Sequence, residues 1–386
     1  RRLKSLRRLT GNEDKIGEIG KMDYSKAGVD IEKGDEASKI LYEAARKTFE
    51  NRKGKFGEII VPFDDFSGIR AVDVSSLPKG SMMCMNFDGI GTKVEIAQRM
   101  NNFETVAFDL FAMVCDDAIV RGGEPVLIGS VLDVNKVDVE AVRQLAKGYV
   151  EAAEEAGVSV INGELAELGN LVSGFGGFNF NWCSSVLWFA NEQKLITGEN
   201  VSVGDSIVFF EEEGFRSNGL SLARKVFEKE YGSEWHDVDL SGKRLGEHVL
   251  FPSKIYSKIF IDLYGGFDEG KNCDVKAVAH ITGGGIPGKL GRALKPSGYG
   301  AEIDDAFNPC EAMLHCQEKG NVADREAYRT WNMGNGLAIV TGEPSKAIEK
   351  AKLYGVKARV AGKVIGENKI RIRSRGFFSS GEVLEF

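Results

Sequence analysis

Apolar and polar positions along this chain alternate between a period near two and a period near 3.6, which predicts interleaved strands and helices. The apolar run 82–85 reads as a buried strand. It leads through Asn86-Phe87-Asp88-Gly89-Ile90-Gly91-Thr92-Lys93 into a helix starting near Thr92. Residues 104–121 place Val106, Leu110, Met113, Val114 and Ala118 at helical spacing, and Gly122-Gly123 followed by Pro125 ends that helix. A strand over 126–134 follows, then an amphipathic helix over 138–157 with Val142, Leu145, Tyr149 and Val150 inward. A short strand over 158–161 then ends on Asn162-Gly163-Glu164. The Gly- and Asn-rich stretch 169–181 reads as a mobile loop, and 184–190 as another buried strand. Upstream, a helix is predicted over 36–50, with strand-like runs at 59–62 and 69–74.

The second half repeats the mixture without repeating the sequence. Strands are predicted over 205–210, 276–281, 336–341, 359–364 and 369–373, and helices over 219–231, 253–264, 309–317 and 344–354. The pattern predicts an α/β (α+β) fold of two mixed domains, 22–197 and 198–386, behind a basic and polar tail over 1–21. No solenoid-length repeat is present.

Composition narrows the function classes. The chain has 386 residues, enough for two cores, and its 47 glycines favour tight turns and backbone-lined sites over a helical bundle. A net charge of −7 argues against nucleic acid as a partner. The cations Arg1, Arg2, Lys4, Arg7 and Arg8 read as part of a solvated tail. No run is long and apolar enough to suggest a membrane span, and no secretory segment is visible. The six cysteines form no C-x-x-C pair and no zinc spacing with the four histidines. They read as free thiols of a cytoplasmic protein.

Chemistry concentrates at three glycine-rich turns. At the first, Gly89 and Gly91 let backbone N–H groups approach an anion, and Thr92 and Lys93 open a helix whose N-terminus favours negative charge. Asp88 beside them suits a magnesium ion on a nucleotide phosphate. Asp109, the Asp116-Asp117 pair, and Glu164 with Glu167 add carboxylates at strand or helix ends. Taken singly, each acid is more often a cap or a solvated charge. Asp109 and Asp116 are seven apart and share a helix face, with Asp117 about 100° further round. The second turn, His280-Ile281-Thr282-Gly283-Gly284-Gly285, runs on to Gly288-Lys289-Leu290. It matches G-x-x-x-x-G-K but has leucine where a phosphate loop needs a hydroxyl. It suits a substrate phosphate, with Arg292 one turn on; the alternative is a turn that brings strand and helix close. The third, Ser217-Asn218-Gly219 behind Arg216, reads first as a helix cap. His236, His248 and His315 read as structural.

Together these segments resemble the phosphoribosylformylglycinamidine cyclo-ligase family over nearly the whole chain. The resemblance is carried by Ala27-Gly28-Val29-Asp30, the 88–93 turn, Asp109 with Asp117, and Gly163-Glu164 with Ala166-Glu167. Further on it is carried by Ser217-Asn218-Gly219, the 280–285 turn, Gly320-Asn321-Val322 and Tyr328-Arg329-Thr330-Trp331-Asn332. It implies a homodimer whose N-terminal domains share a β-barrel. It also implies conversion of formylglycinamidine ribonucleotide and ATP to aminoimidazole ribonucleotide, ADP and phosphate. Asp88, Lys93, Asp117 and His280 would form the catalytic set, with Mg2+ on Asp88, Asp117 and Glu164. Lys26, Asp30, Gly89, Gly91, Thr92, Asp109 and Glu164 would hold ATP, Lys93 would touch its phosphate, and the 24–30 arm would fold over it. Ser217, Asn218, Thr282, Gly283, Gly284 and Arg292 would face the ribonucleotide. Several positions depart from the family pattern: Arg216 stands for a histidine, Leu165 and Gly169 for a threonine and a proline, and Asp324-Arg325 for a histidine pair. The rival readings are another ATP-using enzyme of the superfamily, such as a hydrogenase-maturation or thiamine-phosphate kinase relative, and a non-catalytic homologue.

Overall fold

The computed structural model describes residues 31–61 and 70–386. The expected tail and the 24–30 arm with Lys26 and Asp30 lie outside them, as does one residue of each strand-like run, 62 of the first and 69 of the second. The chain opens with helix α1 (Ile31–Lys47), five residues earlier than the periodicity predicts, and a 3-10 turn over Thr48–Arg52. Among the described residues, the two strand-like runs meet only at one isolated bridge, Ile60 with Ala71.

The first sheet contains β1 (Ser81–Gly89), β2 (Glu124–Val134), β3 (Ser159–Glu167) and β4 (Phe180–Asn191), in the order β1-β4-β2-β3. Helices α2 (Lys93–Met100), α3 (Val106–Ile119) and α4 (Val139–Ala156) connect β1 to β2 and β2 to β3. β2 and β3 run parallel across α4, while β4 is antiparallel to both β1 and β2. Asp138 caps α4 by accepting the N–H groups of Glu140 and Ala141, and Gly157 at φ +73 ends it.

Two expectations change here. β3 does not end at Asn162: pairing with β2 carries it through Glu167, because Gly129 to Val134 supply ladder partners for polar residues that have no strand signal of their own. β1 does form, but it is not buried. Met83, Met85 and Phe87 are 66%, 54% and 73% exposed on one face, while Asn86 and Asp88 point toward the helices. Helices cover one side of this sheet and leave the other side open.

The second sheet has seven strands in the order β13-β12-β9-β11-β5-β10-β8. After β5 (Ser206–Glu211) the chain forms α5 (Leu220–Tyr231), the short ribbon β6 (Asp239–Leu240) and β7 (Lys243–Arg244), α6 (Leu245–Leu250) and α7 (Ser257–Tyr264). Next come β8 (Val275–His280), α8 (Gly285–Leu294), β9 (Gly300–Ile303), α9 (Glu311–Gly320) and α10 (Asp324–Thr330). The chain ends with β10 (Asn335–Thr341), α11 (Pro344–Leu353), β11 (Ala358–Ile365), β12 (Ile370–Arg373) and β13 (Val383–Glu385). The helix expected from Ser253 begins only at Ser257, because Ser253 instead spends its hydroxyl on Asp109.

α3 ties the two halves together. It packs on β1 and β4 of the first sheet and on α7 and β8 of the second half. Val106, Leu110, Phe111, Val114 and Cys115 are fully buried, each large one worth about 1.5–3 kcal/mol of burial. The largest apolar cluster runs through both halves as a result, beside two smaller ones. Asp117 is the one exposed residue of this helix.

Candidate active site

The three glycine-rich turns converge where α3 meets the second sheet. A Cβ on Gly91 would lie 3.8 Å from the Ser217 carbonyl oxygen, and one on Gly283 would lie 3.6 Å from Asn218 Nδ2. Two of the glycines are required by this approach. Gly219, at φ +74, has the Trp331 ring where a side chain would go, and the Trp331 indole donates to its carbonyl at 3.1 Å. Gly285, at φ +59, leaves only 1.9 Å between a built Cβ and the Tyr328 carbonyl.

Beneath the turns lie two buried ionic networks. Lys93 is fully buried; its ammonium donates to Asp109 Oδ1 at 2.8 Å and to the Phe251 carbonyl at 2.5 Å. Ser253 and Ser217 donate to the same Asp109 oxygen at 2.5 and 3.4 Å. The expectation that Lys93 touches phosphate and that Asp109 faces the nucleotide is therefore corrected. Both charges lie in the interior and pair with each other through Asp109 Oδ1, while Oδ2 is buried without a partner; desolvated charges persist only when paired. They tie the start of α2 to α3 and to the segment before α7.

The second network centres on Arg216, in the left-handed region at φ +60. Its guanidinium donates to Glu212 at 2.6 Å, Asp116 at 3.1 Å, the Lys254 carbonyl at 2.8 Å and His280 Nε2 at 2.8 Å. Arginine has no acceptor, so His280 Nε2 must accept and Nδ1 carries the proton. Nδ1 then donates to Asp117 Oδ1 at 2.7 Å. Burial, with the Arg216 charge beside it, pushes the His280 pKa down to about 4 against the pull of Asp117, so the ring is neutral near pH 7. Burial also raises Asp117, but the bond from His280 and the charges of Lys289 and Arg216 outweigh it and hold the carboxyl below its usual range. Asp116 is different: burial, opposed by Arg216 and the Tyr256 N–H, leaves it at about 7. Arg216 stays protonated, since Glu212 and Asp116 overcome its burial.

Asp117 carries this network to the surface, where its side chain is 45% exposed. It lines a cleft of about 320 Å³ with Asn86, Arg121, Trp188, His280, Lys289 and Arg292. Asp88 sits at the end of β1 and accepts the Gly89 N–H at 2.7 Å. Burial raises its pKa, the Gly89 bond opposes this, and the charge of Asp117 raises it further, so the two carboxylates feel each other. A divalent cation between them would relieve that repulsion, so the pair fits the role of two acids on Mg2+.

Glu164 does not complete a trio with them in one subunit. Gly89, Cys183, Val131 and Glu164 form one row across the sheet, placing Glu164 three strand spacings, about 14 Å, from the end of β1. It shares with Asp88 and Gly89 a groove of about 640 Å³ along the sheet. Among the described residues, only Glu234, His236 and Asp237 bring three potential metal donors within 4.8 Å of one another. Of the remaining predicted residues, Thr92 is half-buried before α2, Thr282 is buried with its carbonyl accepting from Gly285, and Arg292 is exposed on the cleft. Sequence reasoning gave no role to Glu212, Arg121 or Lys289. Only Lys289 left a trace, in the incomplete phosphate-loop match.

The first family model, "AIR synthase related protein, N-terminal domain", matches residues 70–177, and its C-terminal counterpart matches 202–375. The phosphoribosylformylglycinamidine cyclo-ligase of Brevibacillus brevis is 32% identical over 90% of this chain and 97% of its own length. The chain belongs to the phosphoribosylformylglycinamidine cyclo-ligase family. The cyclo-ligase of Thermococcus kodakarensis is also 32% identical, over 92% of this chain and 98% of its own. The AIR synthase fold is seen again in a solved structure, the hydrogenase maturation protein HypE in complex with ATP. It covers 81% of this chain and 87% of that one, with a TM-score of 0.55 and 13% identity, a likeness of fold alone. Glu212 and Asp116 are the acids that accommodate the permanently charged Arg216.

Proposed function

We infer that this chain is an ATP-dependent cyclo-ligase that closes the imidazole ring of formylglycinamidine ribonucleotide, giving aminoimidazole ribonucleotide, ADP and phosphate. The observation that carries the reading is the 32% identity to cyclo-ligases spanning nearly the full length of both chains. The convergence of the three turns on Asp88, Asp117 and His280 supports it.

In this reading the formyl oxygen takes the phosphoryl group from ATP. The amidine nitrogen then bonds to that carbon, and the oxygen leaves with phosphate. The protein's work is to position two anionic nucleotides and offset their charge. Mg2+, when bound, would supply charge neutralisation on the phosphates, held by Asp88 and Asp117. The neutral His280 keeps Asp117 oriented on the wall of the cleft. The N–H groups of the 89–92 turn would meet the phosphates, with the 24–30 arm, including Lys26 and Asp30, over ATP. Ser217, Asn218, Thr282, Gly283, Gly284 and Arg292 would face the ribonucleotide. Residues 22–197 would carry ATP and 198–386 the ribonucleotide side.

The open face of the first sheet supports a homodimer. Met83, Met85, Phe87 and Val131 are exposed together there, and a contiguous apolar patch of this kind marks an interaction surface. A second copy placed face to face would close a barrel over them and bring its own Glu164 to the joint groove. Among the described residues no helix is long and apolar enough to cross a membrane, which is compatible with action on soluble nucleotides in the cytoplasm. Incubation of the purified chain with formylglycinamidine ribonucleotide and Mg–ATP should yield ADP and the aminoimidazole product in equal amounts. ATP binding without either product would contradict the reading.

A further inference from the structure

The match to a phosphate loop fails at Leu290, yet it ends on a lysine for which the proposed reaction has no role. Lys289 is half-buried on α8, on the wall of the cleft that Asp117 and His280 also line. Arg292 lies one turn further along the same helix, and Arg121 approaches from the end of α3. Among the described residues, no hydrogen bond or ion pair holds the Lys289 ammonium or the Arg292 guanidinium. Arg121 bonds only the carbonyls of Ile196 and Thr197, at 3.1 and 3.5 Å. The contrast with Lys93 and Arg216, each tied to acids in the core, is sharp. Three cations thus face one carboxylate, Asp117, in a chain whose net charge is −7. The cleft also has the Trp188 ring on its wall, with an indole N–H that has no partner.

Such a cleft concentrates positive charge without satisfying it. A compact ammonium with three free donors is suited to phosphate oxygens, and the arginines offer planar forks at its side. A volume of about 320 Å³ accommodates a phosphate group with part of the molecule that carries it. Burial lowers the Lys289 pKa, with Asp117 and Asp88 opposing and Arg292 reinforcing, as expected of a cation kept without a direct partner. We propose that this cleft is a phosphate-binding site in which Lys289 is the principal cation, with Arg292 and Arg121 beside it. It takes the place that the burial of Lys93 leaves vacant. Whose phosphate it holds rests on the cyclo-ligase reading: either ATP or the ribonucleotide would supply one.

The test compares wild type with Lys289→Gln, Lys289→Arg and a surface control outside the cleft lining, Lys352→Gln on α11. Titration calorimetry with inorganic pyrophosphate should show the affinity falling by roughly 10- to 100-fold in Lys289→Gln, the scale of one charged hydrogen-bonding group. Lys289→Arg should recover most of that loss, and Lys352→Gln should match wild type. In turnover, Lys289→Gln should raise the KM of one phosphate-bearing substrate by a similar factor, and the substrate affected identifies the phosphate held. Equal pyrophosphate affinity in wild type and Lys289→Gln, or no binding by wild type, overturns the site. Pyrophosphate binding that depends on Lys289, in a chain that forms no aminoimidazole product, supports the site and overturns the ring-closure reading instead.

Discussion

His280 Nδ1 donates a hydrogen bond to Asp117 Oδ1 at 2.7 Å, and the direction of that bond is set from behind by Arg216. Because a guanidinium occupies the other ring nitrogen, neither nitrogen of His280 is free to take a proton from substrate. The sequence-based expectation of a catalytic histidine facing the ribonucleotide thus becomes a histidine that orients the Asp117 carboxylate on the cleft.

This relationship predicts that His280→Ala lowers kcat by about 10- to 100-fold, the usual effect of losing a group that orients a ligand. His280→Asn, whose amide can also donate to Asp117, should recover part of it. Steady-state kinetics on both variants, with circular dichroism to verify folding, tests this. A histidine acting as proton acceptor would predict equal loss in the two.

Lys93 yields the opposite kind of prediction. Lys93→Met leaves Asp109 buried without its cation, at a cost of about 3–5 kcal/mol. The double variant Lys93→Met/Asp109→Leu should regain much of that stability. Thermal and urea unfolding measure it. ATP affinity of the folded Lys93→Met protein should stay within a few-fold of wild type; a large loss would return Lys93 to the phosphate.

Much of this was legible in the chain, and the failures share a cause. The α3 pattern from 104 to 121 and its Gly122-Gly123 stop were readable, as was the common face of Asp109 and Asp116, both of which are buried. Their partners were not. Lys93 is 16 residues from Asp109, a pairing that exists only once α2 packs on α3, and Arg216 is 100 from Asp116, a pairing that exists only once α3 meets the second half. The 88–93 turn points Lys93 to a phosphate, and because lysine is rarely fully buried, local sequence gives no sign of its place in the core. In β1, the alternation of Met83, Met85 and Phe87 marks a face, but local pattern does not say whether that face meets the same chain or another.

The open sheet face leads to a third prediction. Phe87→Glu places a charge in the middle of the proposed dimer surface and should raise the dimer dissociation constant by about 100-fold or more. Light scattering coupled to size-exclusion chromatography reads this directly. Wild-type protein that remains monomeric at micromolar concentration would contradict the dimer.

The central claim is tested most directly by following one oxygen atom. Formylglycinamidine ribonucleotide labelled with 18O at the formyl group, incubated with the protein and Mg–ATP, should transfer its label to inorganic phosphate as aminoimidazole ribonucleotide forms. Mass spectrometry or 31P nuclear magnetic resonance reads the isotope shift. Labelled phosphate, one per ring closed, is the predicted result; unlabelled phosphate, or ATP hydrolysis without ring closure, would contradict the account.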